Sequence, residues 1–181
     1  NGNIIWSFTK GSSDTSTTSA TMKYSIPAAP AIADTDGDGF IDMAYLGDLG
    51  GNIWRFAFCR NNDMPNCGIP DRRGAQLFPA HDGNGPPKPI YTSASVTKDA
   101  SSNIWVYWAT GNKIAPTAKT GIQEYIYGVK DGRPSTPYNA DANLTTFEAN
   151  STTTFDPTSS KAGFRIKLAN PNLGEKVLSD S

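Results

Sequence analysis

Carboxylates stand at positions one, three, five and nine of the run Asp34-Thr35-Asp36-Gly37-Asp38-Gly39-Phe40-Ile41-Asp42, and glycine stands at position six. Odd-numbered residues of a tight loop can all turn their oxygens inward. A shell of roughly six to eight hard oxygens at about 2.3 to 2.6 Å is what calcium prefers. Gly39 permits a positive-φ turn that a side chain with a Cβ resists. The expected ligands are the side chains of Asp34, Asp36, Asp38 and Asp42 and the backbone carbonyl of Phe40. Asp42 closes the shell where a helix-flanked loop would use a glutamate three residues later. The competing reading, an acidic surface turn rich in Asp and Gly, leaves the filled ligand slots as coincidence.

The flanking elements decide what kind of calcium site this is. Upstream, the prolines of Ser25-Ile26-Pro27-Ala28-Ala29-Pro30-Ala31-Ile32-Ala33 argue against a helix. Downstream, Met43 to Gly47 and Asn52 to Phe58 are short runs rich in aromatic and β-branched residues, separated by the hairpin signal Asp48-Leu49-Gly50-Gly51. The metal therefore sits between β-strands, without the helix pair that an EF-hand opens. Its expected job is to fix a loop, with affinity in the weak extracellular range of about 10⁻⁴ to 10⁻³ M, or tighter where four carboxylates concentrate negative charge in one place.

The whole chain reads as an exported β-protein. It has 181 residues, 18% of them charged, and a formal net charge of −1. That balance, with no basic stripe, argues against nucleic acid as a partner. No stretch approaches the roughly 20 apolar residues that span a bilayer, and Asn1 to Trp6 lacks the basic start and apolar run of a signal peptide. No convincing helical periodicity occurs, and Gly, Pro, Ser, Thr, Asn and Asp interrupt the sequence every few positions. Residues 9–24, 60–88 and 131–160 read as long loop insertions on a single scaffold spanning 1–181. Two sequon matches, at Asn143 and Asn150, fall in Asn- and Thr-rich sequence where such matches arise by chance.

With the loops set aside, a repeat emerges. Gly2-Asn3-Ile4-Ile5-Trp6-Ser7-Phe8 resembles Gly51-Asn52-Ile53-Trp54-Arg55-Phe56, at a spacing within the ~40 to 50 residues of a propeller blade. Ala44-Tyr45-Leu46-Gly47-Asp48 likewise resembles Val106-Tyr107-Trp108-Ala109-Thr110-Gly111, and each is followed by an aromatic strand, Ile53 to Phe58 and Tyr125 to Val129. Asn103-Ile104-Trp105 competes as a partner for Asn52-Ile53-Trp54, but the first pairing preserves strand order. The expected fold is all-β: a partial β-propeller of antiparallel blades with long loop insertions. Trp6, Trp54, Trp105 and Trp108 could form a stacking platform for sugars; alternating with Ile, Val and Phe, they read better as core.

The run from Ile26 through the Asp34–Asp42 loop and the Asp48 turn to Phe56 closely resembles the C-terminal propeller of PilY-type proteins, the tip-associated adhesin and assembly factors of bacterial type IV pili. The resemblance continues through Val106 to Lys113 and Glu124 to Val129, and returns at Gly163 to Leu168 and Gly174 to Ser179. It implies calcium held by Asp34, Asp36, Asp38, the Phe40 carbonyl and Asp42, regulating pilus extension, retraction and surface attachment. It implies as partners pilin or minor pilins, other segments of the same propeller, and a host or abiotic surface. The location it implies is the bacterial surface, pilus or periplasm and outer membrane. This chain carries Asp36 where some members have Asn, which raises the charge and keeps the coordination logic. The family propeller has more blades than 181 residues supply, so the chain reads as part of a longer polypeptide, or as a short relative completing its sheet with partner chains. Strand edges left exposed would invite such pairing.

In an exported protein, the close pair Cys59 and Cys67 is expected to form a disulfide, stabilising the fold by roughly 2 to 3 kcal/mol in the chain-entropy model. Enzyme readings fare poorly. His81 is the sole histidine and lies in the loop His81-Asp82-Gly83-Asn84-Gly85-Pro86-Pro87, where nothing positions it as a base. One His and two cysteines do not make a zinc ligand set. A quinoprotein dehydrogenase also uses a propeller, tryptophan motifs and calcium; a self-contained DxDxDGxxD loop leaves no room on the ion for a quinone. A generic calcium-stabilised propeller for protein binding would carry one such loop per blade, and the sequence has a single one.

Overall fold

The computed structural model describes residues 2–3, 6–9, 13–14, 17–18, 22–58, 73–79, 86–119, 121–168 and 175–179. Cys59, Cys67 and His81 lie outside the described residues.

The short aromatic and β-branched runs that the sequence singles out become strands. A two-residue hairpin, β1 (Ser13–Asp14) with β2 (Thr17–Thr18), precedes a four-stranded antiparallel sheet. That sheet runs in the order β3 (Ala31–Ala33), β4 (Met43–Gly47), β5 (Asn52–Ala57) and β6 (Arg73–Pro79). A five-stranded sheet follows, from β7 (Ser95–Lys98) through β8 (Ile104–Ala109) and β9 (Tyr125–Lys130) to β11 (Gly163–Lys167), with β10 (Leu144–Glu148) on its edge. The all-β expectation holds, with α1 (Ala140–Asn143) as one turn of helix capped by the Asn139 side chain. The antiparallel expectation fails at one pair: β10 runs parallel to β11.

All three expected insertions contain structure, and residues 9–24 hold the paired strands β1 and β2. Residues 60–88 include β6, whose Gly74 to Phe78 are buried. Its apolar alternation is masked because Gln76 is buried by bonding Asn52 Oδ1 through Nε2 at 2.7 Å. Gly74 adds no side chain because Phe8 occupies the space: a Cβ there would come within 2.6 Å of the ring. Residues 131–160 include α1 and β10, the latter recruited through the long-range parallel pairing that no local pattern announces.

The sheets pack face to face around Met43, Tyr45, Ile53, Leu77 and Phe78 from the first and Val106, Trp108, Tyr127 and Val129 from the second. Trp108 and Tyr127 are cross-strand partners whose rings stack at 4.8 Å and 7°, with Phe78 at 5.3 Å from each. Such aromatic pairs stabilise a sheet beyond their buried area. The opposite face of the first sheet buries Ala44, Trp54 and Phe56 beneath Trp6, Phe8 and Met22. Trp54, Trp105 and Trp108 are 0%, 6% and 3% exposed, so they serve as core and offer no sugar platform.

Both repeat alignments describe something real. By sheet position β4 matches β8 and β5 matches β9, as strand order requires. By turn chemistry, however, Asp48-x-x-x-Asn52-x-Trp54 matches Asp99-x-x-x-Asn103-x-Trp105. Asp48 Oδ1 accepts from the Gly50 and Asn52 amides and Asn52 Nδ2, and Oδ2 accepts from Asn52 Nδ2 and Trp54 Nε1. Asp99 accepts the equivalent set from Ser101, Asn103 and Trp105. The Asn103 and Trp105 side-chain donors hold the Asp99 carboxyl down at about 2. One turn design thus serves two different corners of the sheets.

Candidate metal centre

The Asp34–Asp42 loop joins β3 to β4, with its final residue fixed by the sheet. The Asp42 amide donates to the Ala33 carbonyl at 2.9 Å, and its carbonyl accepts from the Phe58 amide at 2.6 Å. Asp42 is fully buried. Gly37 and Gly39 adopt φ of 84° and 90°, with open space around each, so conformation rather than room requires glycine. The sequence pattern singles out Gly39 alone; the structure adds Gly37.

The loop donors divide each carboxylate in a regular way. Asp36 Oδ1 accepts from the Asp38 amide at 3.3 Å, and Asp38 Oδ1 from the Phe40 amide at 2.8 Å. Asp42 Oδ2 accepts from both the amide and the hydroxyl of Thr35, at 2.6 and 2.5 Å. The remaining oxygens, Asp36 Oδ2, Asp38 Oδ2 and Asp42 Oδ1, are buried and have no hydrogen-bond partner. Asp34 spends one oxygen on the Gly37 amide and the other on the Gly39 amide, at 2.6 and 2.8 Å.

Of the five expected ligands, Asp34, Asp36 and Asp42 each bring an oxygen within 4.8 Å of the others. Asp38 stands outside that set, although its Oδ2 is buried and unpartnered like theirs. Phe40 turns its ring to solvent, 67% exposed, and gives its amide to Asp38; its expected contribution is backbone.

Electrostatics follow from the crowding. The amides of Gly39 and Gly37 lower the Asp34 pKa, since they donate to its charged form. Burial raises that of Asp36, and the charges of Asp38, Asp42 and Asp34 add to the rise. Buried carboxylate oxygens without donors are costly and rare. A hard divalent cation resolves the cost because its ligands are all oxygens, with no sulfur or imidazole to favour zinc. The residues therefore fit calcium.

Two contacts escaped sequence reasoning. Thr35 sits between ligand positions, and alternation alone does not show that it turns back onto Asp42. Lys98, at the end of β7 in the other sheet, donates from Nζ to the Thr35 carbonyl at 2.9 Å; no local signal joins residues so far apart. A buried Glu124, 3% exposed, lies elsewhere, its pKa raised by burial and eased downward by Thr110, Lys88 and Lys176. One carboxylate with two lysines is not a cation donor set.

Comparison with known proteins gives consistent matches. Residues 20–155 match the family model for the PilY1 beta-propeller domain. The type IV pilus biogenesis factor PilY1 homolog of Xylella fastidiosa is 32% identical over 117 residues, covering 62% of this chain and 8% of that protein. PilY1 of Pseudomonas aeruginosa strain UCBPP-PA14 is 30% identical over 160 residues, covering 69% of this chain and 14% of that protein. The crystal structure of the Pseudomonas aeruginosa PilY1 C-terminal domain superposes with a TM-score of 0.61 at 23% identity, covering 83% of this chain and 40% of that one. The chain thus spans 8 to 14% of the length of these curated relatives.

Proposed function

Because this chain belongs to the PilY1 β-propeller family, we propose that it is the calcium-holding part of a non-enzymatic type IV pilus biogenesis factor. In this reading the ion orders the Asp34–Asp42 loop and thereby modulates pilus function and surface attachment. The observation that carries it is the set of three buried carboxylate oxygens left without donors, one each from Asp36, Asp38 and Asp42. Binding would draw Asp38 and the Phe40 carbonyl in with Asp34, Asp36 and Asp42.

The loop's position supports a role as an ordering element. It roots in β3 and β4, and Lys98 ties it to the second sheet. Ordering it would stiffen the seam between the sheets. Pilin or minor pilins, and other segments of the same propeller, are the partners this surface would present to, with the protein exported to the cell envelope. Among the described residues, no helix is long and apolar enough to cross a membrane.

The test is made in a piliated bacterium that depends on the full-length protein. Asp36→Ala with Asp42→Ala should reduce surface pili or twitching while leaving the protein's level unchanged. Wild-type piliation and motility in that double variant, at limiting calcium, would remove the functional role.

A further inference from the structure

We infer that Thr35 is the residue that sets the metal preference of this loop, by holding Asp42 to a single coordinating oxygen. The inference rests on the calcium reading above and adds a positioning residue to it. Both the amide and the hydroxyl of Thr35 donate to Asp42 Oδ2, at 2.6 and 2.5 Å. Asp42 Oδ1 is left as the unpartnered oxygen of a fully buried side chain.

A carboxylate closing a calcium loop commonly gives both oxygens to the ion, and that extra oxygen separates the larger shell of calcium from the octahedron of magnesium. Here the second oxygen is taken. Thr35 cannot easily turn away, because Lys98 Nζ holds its carbonyl at 2.9 Å from the neighbouring sheet and the residue is only 9% exposed. Asp42 is equally fixed, through the Ala33 carbonyl and the Phe58 amide. Neither partner of the Thr35–Asp42 pair is free to rearrange while both donors remain. A one-oxygen Asp42 leaves a place for water and keeps the shell small, which narrows the advantage of calcium over magnesium.

Replacing the hydroxyl by a methyl removes one of the two donors without changing the shape of the residue. Thr35→Val should let Asp42 Oδ2 swing toward the ion and displace a water. Thr35→Ser keeps the donor and should behave as wild type. The chain and these variants are loaded with europium(III), and bound waters are counted from luminescence lifetimes in ordinary and heavy water; calcium and magnesium affinities are measured by calorimetry. Thr35→Val should hold about one fewer water than wild type. Its preference for calcium over magnesium should rise on the order of tenfold, the scale of one charge-assisted hydrogen bond. Thr35→Ala serves the same purpose should the valine disturb folding, monitored by near-ultraviolet circular dichroism.

An unchanged water count and metal preference in a folded, metal-binding Thr35→Val or Thr35→Ala chain overturns the inference while leaving the metal site standing. So does a Thr35→Ser chain that shifts along with Thr35→Val. A wild-type chain that binds neither europium nor calcium overturns the calcium reading itself, and this inference with it.

Discussion

Calcium should raise the melting temperature of this chain by an amount that linkage fixes. A ligand bound only by the native state stabilises it by RT ln(1 + [L]/Kd). With affinity of about 10⁻⁴ to 10⁻³ M, the range of strand-flanked extracellular sites, 10 mM calcium contributes about 1.4 to 2.7 kcal/mol. For a chain of this length each kcal/mol moves the midpoint about 2 to 4 °C, so the expected rise is about 3 to 11 °C. The structure supplies the reason for native-state selectivity. Asp42 is placed by the Ala33 and Phe58 backbone, and Asp34 by the Gly37 and Gly39 amides, partners that exist only in the folded loop. The assay is a thermal melt followed by circular dichroism, in chelator and in 10 mM calcium, for wild type and for Asp36→Ala with Asp42→Ala. The rise should appear in wild type and vanish in the double variant. A cooperative wild-type melt that calcium does not move, or an equal rise in the double variant, would refute the reasoning.

Three further outcomes follow from the same contacts. Asp36→Asn should change sign with conditions: it removes a charge disfavoured by burial and by Asp38, Asp42 and Asp34, so melts in chelator should rise, while melts in calcium should fall. The pH dependence agrees in sign. A carboxyl raised above its ordinary 3.8 contributes stability below that value and loses it as pH climbs through the folded pKa, so on mild acidification the ion-free wild type should gain relative to the Asn variant. Asp131→Ala should cost about 3 to 5 kcal/mol by urea denaturation, because it strands the buried Arg55 guanidinium, 2.9 Å away, and the Tyr45 hydroxyl, 2.8 Å away. Those two contacts tie β4 and β5 to the end of β9, so a loss below 1 kcal/mol would deny them that role. Ser102→Gly should stabilise by about 0.5 to 1 kcal/mol, relieving a left-handed residue at φ 65° where the matching turn uses Gly51 at 86°; equal or lower stability on urea titration would contradict the equivalence of the two turns.

What was legible in the sequence was local. The Asp34–Asp42 loop, the Asp48 turn and the strands on either side are contiguous, and their spacing alone predicts β4, β5 and the convergence of Asp34, Asp36 and Asp42. The repeat was legible too, although Asp48 and Asp99 show that turn chemistry and sheet position need not repeat together. What escaped depended on distant chain. β6 hides its pattern because Gln76 is satisfied by Asn52 and Gly74 yields space to Phe8. β10 joins its sheet by a parallel pairing with β11, which no adjacent turn encodes. Thr35 and Lys98 matter only because the second sheet reaches the loop. The Asp38 carboxylate stands apart from the three that cluster, which spacing cannot foresee because it fixes order along the chain and not rotamers.

The central claim is that one divalent ion belongs to the Asp34–Asp42 loop, and calorimetric titration of calcium into the chain tests it most directly. The account predicts saturable binding of a single ion at up to millimolar calcium, lost in Asp36→Ala with Asp42→Ala. A folded wild-type chain that gives no saturable heat, or a double variant that binds as well, would contradict it and leave the loop an acidic turn.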